Sequence, residues 1–142
     1  MKKPVVIVLI VLVLGVAYYL ISPLFRVIEV QEETPEEMTI TAEHFELVGT
    51  FGHRVSGTVS IVETDNGRIA RYEDFETVNG PNLHVYLAKD LDAREYLDLG
   101  PIKGTKGNIN YEIPDDVNLS EYRYIMHWCV PFGVLFNYAK LK

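Results

Sequence analysis

Four side chains in this sequence carry soft or titratable donors that could act together: Cys129, Met126, His127 and, far away in the chain, His53. The first three fall in the run Tyr122-Arg-Tyr-Ile-Met-His-Trp-Cys129, which holds the only cysteine. Thiolate, thioether and imidazole are ligands that copper and haem iron favour, so a site drawing on Cys129, Met126, His127 and His53 is one reading. A bare redox thiol is a second. His127, two residues back on the same strand face, or His53, if the fold brings it close, would lower the thiol pKa. A small apolar core filler is a third. Half of an interchain disulfide is a fourth, because exported domains keep cysteines paired and this one has no partner within its chain.

The surrounding sequence narrows these readings. No His or Met follows Cys129, so the compact ligand loop of a blue-copper site is missing, and there is no Cys-x-x-Cys-His for covalent haem. A structural zinc site is disfavoured with one thiol. His84, in Leu83-His-Val-Tyr-Leu87, and His127 lie within strand-like runs, where hydrogen-bonded structural roles are expected. His53, in Phe51-Gly-His-Arg-Val-Ser-Gly57, sits at a glycine-flanked strand start and is the better candidate. Gly-x-Ser-x-Gly, phosphate-loop, dinucleotide and zinc-protease signatures are all absent. Asp65 and the Asp115-Asp116 pair read as turn formers, and Tyr72, Phe75, Tyr86, Tyr111 and Trp128 as core aromatics. Asn118-Leu-Ser120 is a formal glycan acceptor. The sequence shows no turnover chemistry.

These residues must be positioned by a chain of 142 residues that opens on a membrane-type segment. Val5 to Ile21 holds only apolar residues, Gly15 and two tyrosines, and as a helix it spans about 26 Å at 1.5 Å per residue. Continuing through Leu24, Phe25, Val27 and Ile28, with Arg26 snorkelling, completes a bilayer span. Pro4 suits a first helical turn, and Pro23 bends or ends the helix. Val16-Ala-Tyr-Tyr-Leu-Ile-Ser22 offers only a poor cleavage site, so residues 1–28 read better as an uncleaved signal-anchor. Lys2 and Lys3 ahead of it put the N-terminus in the cytoplasm and the rest outside, single-pass in the plasma membrane.

Of 13 basic residues, three belong to the anchor, which leaves ten against all 20 acidic ones and a net charge of −10. Such a surface repels nucleic acid and anionic headgroups alike. Residues 29–41, acidic and proline-punctuated, read as a solvated linker. Residues 42–142 change to short β-branched and aromatic runs: Val55 to Val62, Arg68 to Phe75, Leu83 to Ala88, Ile109 to Ile113, Tyr122 to Val130 and Val134 to Leu141. Asp65-Asn-Gly67 marks a hairpin, Asp92 to Leu97 one helical turn, and Gly100-Pro101, Gly104 and Gly107-Asn108 further turns. The expected fold is all-β, a single sandwich or barrel-like domain of six to eight short strands behind one transmembrane helix. In Tyr122 to Cys129 both strand faces are apolar, as in a doubly covered strand, and Cys129 falls at its end before Pro131.

Taken in order, several segments resemble the DM-thirteen domain of Skeletor-like extracellular proteins and of many membrane-anchored or secreted microbial ones. They are Gly49-Thr-Phe-Gly-His-Arg-Val-Ser-Gly-Thr-Val59, Tyr72-Glu-Asp-Phe75, Asn79-Gly-Pro-Asn-Leu-His-Val-Tyr-Leu87, Gly100-Pro-Ile-Lys-Gly104, Gly107-Asn-Ile-Asn-Tyr-Glu-Ile-Pro114 and Trp128-Cys-Val-Pro-Phe132. The resemblance runs over roughly residues 43–142. It implies a β-sandwich around a hallmark cysteine, matched by Cys129, that serves redox chemistry as a bare thiol or by holding a group such as haem. His53 matches the histidine ahead of Val-Ser-Gly; Met126 and His127 have no counterpart in it.

The expected protein is a membrane-anchored extracytoplasmic domain with a redox or electron-transfer role centred on Cys129, assisted by His53. Its partners are the lipid bilayer, through the helix, and an unidentified redox or protein partner, with no nucleic acid. Haem or copper is compatible with it and neither is required. The alternative is a non-catalytic binding or adhesion module with a packed cysteine and with Asn79 to Asn82 and Lys103 to Asn108 as its recognition loops.

Overall fold

The computed structural model describes residues 3–35, 38–39 and 43–142. Lys2, and the expected boundary between linker and domain at residues 41 and 42, lie outside the described residues. Helix α1, Lys3–Ile21, runs without a polar stripe into a 3-10 turn, Ser22–Phe25, at Pro23. The unit Lys3–Phe25 is long and apolar enough to cross a membrane. Among the described residues none of its membrane window is buried against protein, and α1 packs against no strand.

Eleven strands follow: β1 Glu29–Gln31, β2 Met38–Thr39, β3 His44–Glu46, β4 Val48–Gly49, β5 Val55–Thr64, β6 Gly67–Thr77, β7 Leu83–Ala88, β8 Tyr96–Pro101, β9 Lys106–Ile113, β10 Tyr124–Cys129 and β11 Val134–Lys140. Seven of these have six residues or more: six fall on the expected runs, and the seventh, β8, falls on a stretch read as turns; the other four are two- or three-residue additions at sheet edges. One sheet has the order β1-β9-β6-β5-β2, with β3 also on β5, and the other β4-β11-β10-β7-β8. All pairs are antiparallel except β1 on β9.

Alternation along the strands turns Val59, Ala70, Tyr72, Phe75 and Ile109 of the first sheet onto Val85, Leu87, Ile125 and Ala139 of the second, forming one shared core. The outer face of the second sheet carries its own layer, in which Tyr86, Ala88 and Met126 lie under Trp128, Leu135 and Tyr138. The apolar character of both faces of β10 follows from these two coverings.

Two turn expectations give way to strand. Gly100-Pro101 ends the edge strand β8, where proline's missing N–H is tolerated. Gly107, at φ +117°, lies inside β9, and an added Cβ there would collide with Val30 O of the neighbouring β1. The helical turn expected at Asp92 is replaced by a loop that feeds β8 from Tyr96. The first residues of the acidic linker are fastened to the domain. β1 pairs with β9, Glu32 Oε2 accepts from Asn110 N at 2.5 Å, and Arg71 Nη1 donates to Glu32 O at 2.9 Å. Lys103 Nζ and the Asn110 N–H hold the Glu32 carboxyl below its ordinary pKa, against the opposing effect of partial burial.

Candidate functional site

Cys129 closes β10 opposite Val134 of β11 and Leu83 of β7. Its side chain is 1% exposed and packs with Leu83 and Phe136, with Val78 and Ile102 at the margin. Sγ–H donates to Pro81 O at 3.2 Å, and the Phe132 N–H points back at the sulfur. Burial pushes the thiol pKa up, and the Phe132 N–H only partly offsets this. At neutral pH Cys129 is a protonated thiol rather than a thiolate. Two straps hold it under cover: Val130 N donates to Asn82 O at 3.2 Å, and Gly133 N to Cys129 O at 2.9 Å.

The registers of β10 and β11 slip between His127 and Trp128. His127 pairs with Asn137 and Trp128 with Leu135, which leaves Phe136 as an unpaired bulge residue. A bulge re-aims side chains. Here it makes two consecutive residues, Phe136 and Asn137, both buried. Phe136 fills the space beside Cys129, and Asn137 meets His127.

His53 comes to the same end of the sandwich from the loop between β4 and β5. Gly49 permits that loop, because a Cβ at this position would overlap His53 O. Thr50 Oγ1 lies 2.7 Å from Leu135 O, 2.9 Å from Phe136 O and 3.0 Å from His53 Nδ1. Carbonyls only accept, so the single hydroxyl proton goes to them and the hydroxyl lone pair takes the His53 Nδ1–H. Nε2 is then the acceptor nitrogen of His53. The imidazole stacks on Phe136 with centroids 3.8 Å apart, and burial lowers its pKa. His53 and Cys129 thus pack against the same phenyl ring and share no hydrogen bond.

The other two candidate ligands are elsewhere. Met126 lies on the outer face of its sheet with Tyr86 and Ala88, across the sheet from Cys129. His127 is wholly buried, with Nδ1 at 2.5 Å from Asn137 Oδ1, and its ring lies against Phe75 and Tyr72 at 5.1 and 5.3 Å between centroids. Asn137 Nδ2 in turn donates to Thr77 Oγ1 at 3.0 Å. Burial pushes the His127 pKa down to about 4, outweighing the Asn137 bond. His127 Nε2 and Tyr72 Oη are buried without hydrogen-bond partners among the described residues. Among the described residues no three His, Cys, Asp or Glu side chains gather as metal ligands. Nor do the residues fit a haem at Cys129: Leu83 and Phe136 fill the space beside the sulfur, and a single added methyl at Gly80 would already meet Phe136 Cζ at 2.6 Å.

His44 and His84 have partners of their own, Ser60 Oγ at 2.7 Å and Asp98 Oδ2 at 2.8 Å. The loops expected to be recognition surfaces are partly covered. Asn79, Gly80, Gly104 and Thr105 are buried, and the chain leaving the helix lies on them. Asn79 Nδ2 donates to Arg26 O at 3.2 Å, Ile28 N to Thr105 Oγ1 at 2.9 Å, and Thr105 N to Ile28 O at 2.8 Å.

A two-sheet β-sandwich closed at one end by a buried free cysteine, and carried behind an apolar helix, is the class of protein that this fold and site define. Residues 46–141 match the family described as Electron transfer DM13, and the chain belongs to that family. No curated protein and no solved structure matches the chain.

Proposed function

We propose that this protein is a membrane-anchored, single-pass electron-transfer module of the plasma membrane. Its sandwich faces away from the cytoplasm, and its working group is the thiol of Cys129. The observation that carries the reading is the family match over residues 46–141, which takes in the sandwich from β4 to β11, combined with a free cysteine held between two loops rather than in the middle of the core. The packing beside the sulfur favours the bare thiol over a haem or copper ligand. Because the sulfur is protonated and covered, its one-electron oxidation by an external redox partner, which takes the electron while the thiol proton passes to water and a thiyl is left, requires the Asn82 and Val130–Gly133 straps to part. His53 assists through the shared Phe136 ring rather than as a hydrogen-bonded base. Native-state alkylation and mass spectrometry of the full chain in lipid, with an absorption spectrum of protein purified from its own membrane, test this. A thiol modified in the folded state supports it. A thiol inert to alkylation and to oxidants in the folded protein, with a featureless visible spectrum, refutes it.

One specific observation favours a second reading. Cys129 is as buried as its aliphatic neighbours and its pKa is raised, as for a packed core residue in a non-catalytic binding module. Full retention of the cellular phenotype by Cys129→Ala would select this reading over the first.

A further inference from the structure

The two ends of the sandwich differ in charge. Five segments converge at the Cys129 end: residues 22–28 leaving the helix, 50–54, 78–82, 102–105 and 130–133. They contain no aspartate or glutamate, and three bases, Arg26, Arg54 and Lys103. The far end, formed by residues 65–66, 89–95, 114–123 and 141–142, holds seven carboxylates against four bases. Glu32 pairs with Lys103 at 2.9 Å and Glu76 with Lys106 at 3.5 Å, so among the described residues Arg26 and Arg54 are the bases of this end without an ion-pair partner. A chain with strong overall negative charge therefore carries it away from one face.

That face is also where the membrane helix arrives. Arg26 O accepts from Asn79 Nδ2, Asn79 adjoins Gly80-Pro81, and Pro81 O accepts from Cys129 Sγ, so the thiol lies only a few contacts from the residue that leaves the bilayer. Leu24, Arg26 and Val27 share a groove with Arg54, Val78 and Asn79. Around the same end the loops expose large apolar side chains. Phe51 is fully exposed and Phe132 56% exposed, with Val130 and Val134 beside it. Polar loops are the norm at a sandwich end, and apolar side chains flanked by arginine are the composition of a membrane interface.

We propose that the Cys129 end of the sandwich docks on the bilayer that α1 spans, with Phe51 and Phe132 at headgroup depth and Arg26 and Arg54 on anionic headgroups. The inference rests on the anchor reading of α1. It places the loops over Cys129 at the lipid boundary, and the acidic far end in solvent. The overall negative charge predicts repulsion from anionic lipid, and its segregation to the far end removes that objection.

The test uses the full chain in nanodiscs of phosphatidylcholine and phosphatidylglycerol, with a fluorophore on Phe51→Cys, Asp65→Cys or Leu12→Cys; the chain without an added cysteine, carried through the same labelling, corrects for any label taken by Cys129. Nitroxide lipids labelled at the headgroup should quench position 51 several-fold more than position 65. Acyl-chain nitroxides should quench position 12. Trp128, the chain's one tryptophan, provides a readout without any substitution and should also be quenched from the headgroup. Equal quenching at 51 and 65, with position 12 quenched, overturns the orientation and leaves the anchor intact. No quenching at position 12 removes the anchor and the orientation with it.

Discussion

His53 lies flat on Phe136, with ring centroids 3.8 Å apart and planes within 19°, and Phe136 is packed in the same cluster as Cys129. An aromatic ring packed against both imidazole and thiol leaves no hydrogen-bonded path between them. The alkylation rate of Cys129 should therefore rise with pH along one curve. Its midpoint should lie above that of a free thiol, because burial raises the pKa. It should show no inflection where His53 titrates, and His53→Gln should leave it unchanged. A second inflection that disappears in His53→Gln would show that the histidine acts on the sulfur directly.

Gly80 sits under the edge of that ring. A Cβ there would stand 2.6 Å from Phe136 Cζ and 3.3 Å from Leu83 Cδ2. Gly80→Ala forces the phenyl aside, and overpacking of this kind costs about 1–3 kcal/mol. Displacing Phe136 also loosens the stack on His53, so the imidazole pKa, now lowered by burial, should rise toward its ordinary value. Urea unfolding and an NMR titration of the histidines measure both effects in one variant. Loss of stability without movement of His53 would detach the stack from the thiol cluster.

His127 predicts how stability depends on pH. Its pKa is near 4 in the fold and 6.5 when unfolded, so between these values the unfolded chain binds the extra proton. The stabilisation is complete above pH 6.5 and is lost as pH falls toward 4. The slope is about 1.4 kcal/mol per pH unit and the total about 3 kcal/mol. Denaturant unfolding followed by Trp128 emission should show that decline, and His127→Gln should flatten it. A decline that persists in His127→Gln would move the proton uptake to another group.

Apart from β8, whose Gly100-Pro101 reads as a turn, the longer strands were legible because alternation and turn residues, Asp65-Asn-Gly67 above all, act locally. So was the end position of Cys129, since Pro131 cannot continue a ladder. The short edge strands were not, because pairing of two or three residues depends on the neighbouring sheet rather than on their own composition. The site was legible only in part. Alternation alone sends His127 and Cys129 to one face and Met126 to the other, so their separation could have been read from the sequence. The bulge at Phe136 could not, because it is a register slip between two chains of hydrogen bonds and leaves no mark in either strand alone. That slip supplies both Phe136 to the thiol and Asn137 to His127.

The last expectation concerns the cover over the sulfur. Gly133 has φ +61° in the turn between β10 and β11, and the nearest atom to an added Cβ is Trp128 Cζ2 at 4.0 Å. Gly133→Ala therefore meets no steric obstacle and strains only the backbone, by about 1–2 kcal/mol for a left-handed conformation. The strain falls on the turn whose Gly133 N–H binds Cys129 O and whose Phe132 N–H faces Sγ. If the thiol is reached by local opening of this turn, the open population rises by about 5–30-fold and native alkylation accelerates by the same factor. Global stability falls by no more than the strain itself. If the thiol is reached only by global unfolding, the alkylation rate follows the loss in unfolding free energy, and any other variant of equal stability accelerates it as much. Measuring Gly133→Ala beside a far-end variant of matched stability, such as Ala93→Val at φ +50°, separates a gated thiol from a packed one.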